Sequence, residues 1–251
     1  MDTKSQVIDA LMYTRATFQG QWARWGIFVL CCLPSLLGIV LCDLFCAGLP
    51  AYILSWVVAP LLYVVLMGYV ARIYRGPTTP PVFDTWGSLF VDGIRITVTY
   101  LLWFLPALLS FLALAGLTVA LCVADQIDLF LVLLYFVITL LLIVTLAVAV
   151  LFSDFGAIRC ARTNSILDGL CISSLTKTIK AIGWLNYLLA LIVLIVPYFV
   201  VVVALSIVLG PVPYGFDIID VCIITPFYLV FAARYMTLLY DKGTAQLLPT
   251  L

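Results

Sequence analysis

The sequence predicts an all-α membrane protein: six transmembrane helices arranged as three hairpins, each hairpin preceded by a cytoplasmic amphipathic helix at the membrane interface. Three observations predict it. Of 251 residues, 66% are hydrophobic and 10% charged, against roughly 45–50% and ~25% in an ordinary soluble domain. Six apolar runs reach the ~20 residues that cross a bilayer as a helix. The cations and the outermost acids fall on opposite sides of those runs.

The composition excludes several classes. A chain of this size has too little interior to hide so much apolar surface in water, so a soluble globular enzyme and a nucleic-acid binder built on a basic surface are both ruled out. There are twelve Lys and Arg, twelve acids and no His. Every acid is Asp. Missing His removes the Ser-His-Asp triad and most catalytic zinc sites. Neither a metal-ligand pattern nor a cofactor fingerprint is present, and no cofactor is expected.

The runs cover about residues 25–42, 51–71, 96–124, 129–152, 182–209 and 218–240 of one integral membrane domain, 1–251. The first begins after two dozen mostly polar residues and has no small-x-small cleavage site after it, so it reads as a retained helix. Connections near 43–50, 125–128 and 210–217 are short, which makes each pair of runs a hairpin. An even number of spans puts both termini on one side. All twelve cations then fall there: Lys4, Arg15, Arg24, Arg72, Arg75, Arg95, Arg159, Arg162, Lys177, Lys180, Arg234 and Lys242. The other side holds Asp43, Asp125, Asp128, Asp217 and Asp220. By the positive-inside rule both termini are cytoplasmic and the membrane is the cell membrane.

The longer, cytoplasmic connections read as interfacial helices over about residues 6–19, 85–95 and 165–180. In the first, Val7, Ile8, Leu11, Met12 and Phe18 share a face. The second follows the rigid Gly76–Pro81 stretch, with Asp84 as its N-cap. Trp25, Trp86, Trp103 and Trp184 are candidate interface anchors. Each odd span is preceded by an apolar-Asp-small-apolar step, at Asp9-Ala10, Asp92-Gly93 and Asp168-Gly169, and carries a central proline, Pro34, Pro106 and Pro197. A threefold repeat of interfacial helix, span, span accounts for these echoes; short membrane hairpins generate similar ones without a repeat.

Residues 68–106 carry a family resemblance. Gly68-Tyr69 with Arg72 is followed by Pro81, Phe83, Asp84, Trp86, Gly87, Leu89, Phe90, Asp92 and Gly93, and then by an apolar run. This resembles the archaeal membrane family known as domain of unknown function 4013. The resemblance implies a polytopic membrane protein and transfers no functional residue. Read from chemistry alone, Phe83, Asp84, Trp86, Phe90, Asp92, Arg72 and Arg75 are a docking surface for a partner or lipid, or else a linker folded against the bilayer.

Arg234 is the most informative single charge. Thirteen residues separate it from Asp220, ~20 Å of helix against a ~30 Å hydrocarbon core. It therefore snorkels, forms a buried ion pair, or serves transport. The pairs Asp125/Asp128 and Asp217/Asp220 each share a helix face and with Asp43 would form an anionic mouth; solvated loop ends explain them equally. The eight cysteines read as small apolar side chains or as outer disulfides. Few polar residues lie within the spans, which argues against a carrier of polar substrates. Two functions remain in front. One is a scaffold or accessory subunit with a protein partner or as a homo-oligomer. The other is a transporter or a protein handling lipids or apolar molecules, whose proline-kinked helices one, three and five line a cavity closed from one side. An integral membrane enzyme is third.

Overall fold

The computed structural model describes residues 3–45, 48–123 and 129–247. All regular structure among them is helical. Six stretches are long and apolar enough to cross a membrane: Trp22–Asp43, Gly48–Tyr74, Trp86–Cys122, Leu129–Thr163, Trp184–Leu209 and Gly215–Leu247.

Helix α1 (Thr3–Phe18) precedes the first span, α2 (Trp22–Phe45). The second span is α3 (Gly48–Ile53), a π-turn at Leu54–Val58, and α4 (Ala59–Tyr74). The third and fourth are α5 (Trp86–Val123) and α6 (Leu129–Thr163). Two short helices, α7 (Ile166–Gly169) and α8 (Ile172–Ile182), lead to the fifth, α9 (Trp184–Leu209). The sixth is α10 (Gly215–Ile219), a second π-turn at Asp220–Ile224, and α11 (Thr225–Leu247).

Several boundaries differ from the sequence expectation. Residues 85–95 are not a separate helix: α5 runs unbroken from Trp86, because nothing between the amphipathic turns and the apolar run breaks a helix. Residues 165–180 form two helices, parted at Leu170 and Cys171. The fourth span does not stop at 152. Helix α6 continues to Thr163 and carries Asp154, Arg159 and Arg162 into the packed end of the bundle.

That end holds the core. Tyr69, Ile73, Leu89, Ile96, Phe155, Ile158, Leu175, Ile179, Tyr187 and Tyr235 are almost wholly buried there, in the C-terminal parts of α4 and α6, the N-terminal parts of α5 and α9, the middle of α11 and along α8. The far halves are exposed, among them Leu133, Phe136, Leu140, Val144, Ile207 and Val208. Helix α1 buries Gln6, Ala10, Thr14 and Thr17 and exposes Ile8, Leu11 and Met12, the reverse of a water-soluble helix.

Glycines set the closest crossings. A Cβ on Gly68 would stand 1.9 Å from the Leu89 carbonyl oxygen, and one on Gly93 would stand 1.9 Å from that of Val64. Helices α4 and α5 therefore touch backbone to backbone. The Gly156 and Gly169 pair does the same for α6 and α7, where a Cβ would come within 2.5–2.7 Å of the partner's carbonyl. Gly76 ends α4 at φ +85°, a conformation that only glycine adopts without strain, and donates its amide to Ile73 O.

Both π-turns precede a proline by the same offset, Leu54 before Pro60 and Asp220 before Pro226. A proline has no N–H to give the carbonyl four residues back, and its ring crowds that carbonyl. Widening to a π-turn moves the carbonyl aside. At the second site the freed oxygen of Cys222 accepts a bond from the Trp25 indole at 2.7 Å.

Candidate functional site

The ends of the helices in the packed half are tied by arginines. Arg75 meets Asp92 at 2.8 Å, and Arg95 approaches the same carboxylate at 3.6 Å. Arg162 pairs with Asp241 at 2.6 Å, donates to Tyr74 O at 2.9 Å and lies over the Tyr240 ring. Arg234 pairs with Asp9 at 2.9 Å, donates to Pro77 O at 2.9 Å and stacks over Tyr13. Arg72 grips Asp84 together with Val82 O, Asp84 O and Thr85 Oγ1. That hydrogen bond holds the Asp84 carboxyl below its ordinary pKa.

Two of the three Asp-small steps thus join the end of an even span: Asp92 to Arg75 of α4's end, and Asp9 to Arg234 of α11. At the third, Gly169 rests against α6 and its carbonyl accepts the Trp103 indole at 3.2 Å. Asp168 makes no ion pair among the described residues.

Most of the expected docking residues are used inside the protein. Asp84 takes Arg72 instead of capping α5. Asp92 is buried in its two ion pairs. Phe83 stacks on Tyr69, with ring centroids 4.6 Å apart, and on Trp86 at 5.9 Å. Asp84, Trp86, Phe90 and, to a lesser extent, Arg75 still present surface. Arg234 is 7% exposed, so the ion-pair reading describes its geometry. Trp103 is buried in the core and is no surface anchor. Asp125 and Asp128 lie outside the described residues, as does Cys46. The described cysteines are all free thiols.

Of the acids expected at an outer mouth, Asp43, Asp217 and Asp220 are among the described residues. Asp43 and Asp217 both lie close enough to Tyr214 to act on it electrostatically. Asp220 sits deeper, in the second π-turn. Its Oδ2 accepts from Thr225 at 3.2 Å, while Oδ1 is buried without a partner.

Three cavities line up from Asp43 inward. The outer one, about 290 Å³, is bounded by Gly38, Cys42, Asp43, Ser55 and Trp56. The middle one, about 400 Å³, shares Ser55 and adds Cys31, Cys32, Ser35, Tyr63 and Asp220. The inner one, about 460 Å³, shares Tyr63 and reaches Tyr74, Tyr100, Asp154 and Tyr228. A Cβ on Gly38 would strike Ser55 Oγ at 1.9 Å, so spans one and two approach closely at the wall residue these two cavities share. In the inner cavity the Tyr100 hydroxyl donates to Asp154 Oδ1 at 2.6 Å and lies 2.8 Å from the Tyr74 hydroxyl. Beyond Tyr74 stand Arg75, Asp92 and Arg162. Spans one, two and six line the outer two cavities, and spans two to six the inner one. None of these three cavities is lined by helices one, three and five together.

Sequence reasoning missed Asp154 and its tyrosines. The fourth span was ended at 152, which made Asp154 a loop acid. The available signal was tyrosine: Tyr63, Tyr100 and Tyr228 each interrupt an apolar run.

The family model "Protein of unknown function (DUF4013)" matches residues 51–210. The chain belongs to this family. The match takes in the glycine crossing, the arginine ties of Arg72 and Arg75, Asp92 and Asp154. No curated protein and no solved structure matches the chain. Family and helices together make it a multi-pass membrane protein of a family without assigned activity.

Proposed function

We propose that the protein is a membrane carrier for small amphiphilic molecules, which enter at the Asp43 end and are held beneath the arginine ties. The observation that carries this is a series of three cavities, neighbours sharing Ser55 and Tyr63 as wall residues, with an acid in each and no Lys or Arg lining any of them. Low-dielectric walls with charge of one sign concentrate opposite charge. In this reading the ion pairs Arg75–Asp92 and Arg162–Asp241 close the inner end. Two π-turns beside prolines supply hinges in spans two and six.

In this reading the spans form three hairpins in the cell membrane, both termini are cytoplasmic and the cations face the cytoplasm. Helices α1 and α8 lie in the interface, with the exposed Ile8, Leu11 and Met12 of α1 toward lipid. The three Asp-small steps mark a threefold repeat whose first and last units meet through Asp9 and Arg234.

The test is cysteine accessibility. In a cysteine-free background, Cys at Ser55 and at Tyr63 should react with a charged, membrane-impermeant thiosulfonate added outside, and should be protected from the cytoplasmic side. Equal reaction from both sides, or none from outside, rejects the route.

A second reading, a scaffold or accessory subunit with a protein partner or as a homo-oligomer, draws on Trp86, Phe90, Val91 and Ile94. These are exposed at the start of α5, beside the arginine ties. Purification in mild detergent distinguishes it: a stoichiometric partner protein, or a defined oligomer that Trp86→Ala disperses, supports this reading over the carrier.

A further inference from the structure

Asp154 differs from the other described acids of the packed end that have ionic partners. Asp9, Asp84, Asp92 and Asp241 each have an arginine. Asp154 has no ion pair among the described residues. Its Oδ1 takes the Tyr100 hydroxyl, and no hydrogen bond reaches Oδ2. A carboxylate inside a membrane bundle is costly unless a proton or a cation neutralises it. Thr97 Oγ1, also on this cavity's wall, is buried without a partner. Two polar atoms on one wall are therefore unused.

The rest of the wall says which cation fits. Tyr63, Tyr74, Tyr100, Tyr228 and Phe104 line the same cavity as the carboxylate, and Thr97 apart the remaining lining is apolar, with Met67, Val70, Leu101 and Leu194. Aromatic faces attract a cation with ~0.5–2 kcal/mol each, most when it is weakly hydrated. A small metal ion demands about six oxygens, and the described residues hold no cluster of three or more metal-ligating side chains. An ammonium or phosphonium centre needs only one counter-charge and a cage. The cavity, about 460 Å³, falls in the ~300–1,000 Å³ range of small-molecule sites.

We propose that the inner cavity binds a lipophilic organic cation, its charge set against Asp154 within the tyrosine cage and its apolar body against the aliphatic wall. This deepens the carrier reading and rests on it for the direction of entry, but the site itself is open to a separate test. Equilibrium binding of radiolabelled tetraphenylphosphonium is measured on the purified protein in detergent, with neutral triphenylphosphine oxide as competitor. The expected result is a saturable component that Asp154→Asn weakens by about tenfold or more and that the neutral compound does not displace. Tyr228→Leu should weaken binding several-fold, while Tyr228→Phe, which keeps the ring, should not. If Asp154→Asn fails to fold, the Tyr228 pair still decides. Unchanged binding in Asp154→Asn, displacement by the neutral competitor, or equal loss with Phe and Leu overturns the proposal. Binding as expected alongside labelling that rejects the outer route leaves the site standing and removes the carrier.

Discussion

Two arginines show how one residue type does different work. Arg234 is 9% exposed at its side chain, and Asp9 is 39% exposed. Removing a partner from a fully buried pair costs ~3–5 kcal/mol. Solvent at Asp9 reduces this, so Arg234→Ala should destabilise by about 2–4 kcal/mol, with Pro77 O also left unserved. Arg234→Lys keeps the charge but cannot span both acceptors, so it should fall between. Thermal unfolding in detergent reads this order, and wild-type stability for Ala would remove Arg234 from the structural ties. Arg72 holds Asp84 at the surface, so its effect is one of pH. Because the Asp84 pKa is lowered on folding, its stabilisation is present at and above the ordinary carboxylate pKa and is lost as pH falls below it. Asp84→Asn should lower stability at neutral pH, leave the acid end little changed, and so flatten the stability profile across that acid window. An identical acid limb in the variant would contradict this assignment.

Helices here are shaped by where the backbone is crowded or short of a donor. Pro226 leaves Cys222 O without its helical partner, and Trp25 replaces it. Trp25→Phe should therefore cost about 1 kcal/mol in the native background and close to nothing beside Pro226→Ala, where an amide is restored. A double-mutant cycle measures the difference; additive effects would mean that the indole is not serving the proline. Gly68 and Gly93 let α4 and α5 meet through their backbones. Gly93→Ala should cost at least the ~1–3 kcal/mol of overpacking, because the obstacle is the Val64 carbonyl and not a movable side chain. Gly26 and Gly116 have nothing within 4 Å. Alanine there should be neutral or stabilising by up to ~1 kcal/mol. Equal tolerance at Gly93 and Gly116 would argue against the close crossing.

The whole molecule is packed at one end and spread at the other. Arginines, aspartates and buried aromatic residues tie the ends of α1, α4, α5, α6 and α11, while the far halves of α6 and α9 meet few protein neighbours. Topology is testable with native thiols. Cys42, Cys122 and Cys171 are exposed, and the arrangement expects an impermeant maleimide to label the first two from outside intact cells and Cys171 only after permeabilisation. Labelling of Cys171 and Cys42 from the same side would break the six-span topology.

Much of this was legible in the sequence, for identifiable reasons. Apolar length sets membrane crossing, because an unpaired backbone in lipid must be helical, and all six spans were visible that way. The separation of Arg and Lys from Asp43, Asp217 and Asp220 set the expected orientation. The Asp-small steps were visible as echoes, without showing which arginine meets which acid. Asp9 and Arg234 are 225 residues apart, a distance that no periodicity encodes. The end of α6 was misjudged because a charge usually closes a span, whereas Asp154 is shielded by tyrosines from neighbouring helices. Composition and order along the chain determined a helical, six-span membrane protein. Only the tertiary structure decided that Arg75 meets Asp92 and Arg234 meets Asp9, that the Trp25 indole serves the carbonyl freed by Pro226, and that Asp154, with no ionic partner among the described residues, lies in a cavity lined by tyrosines, because each depends on what another helix brings within reach.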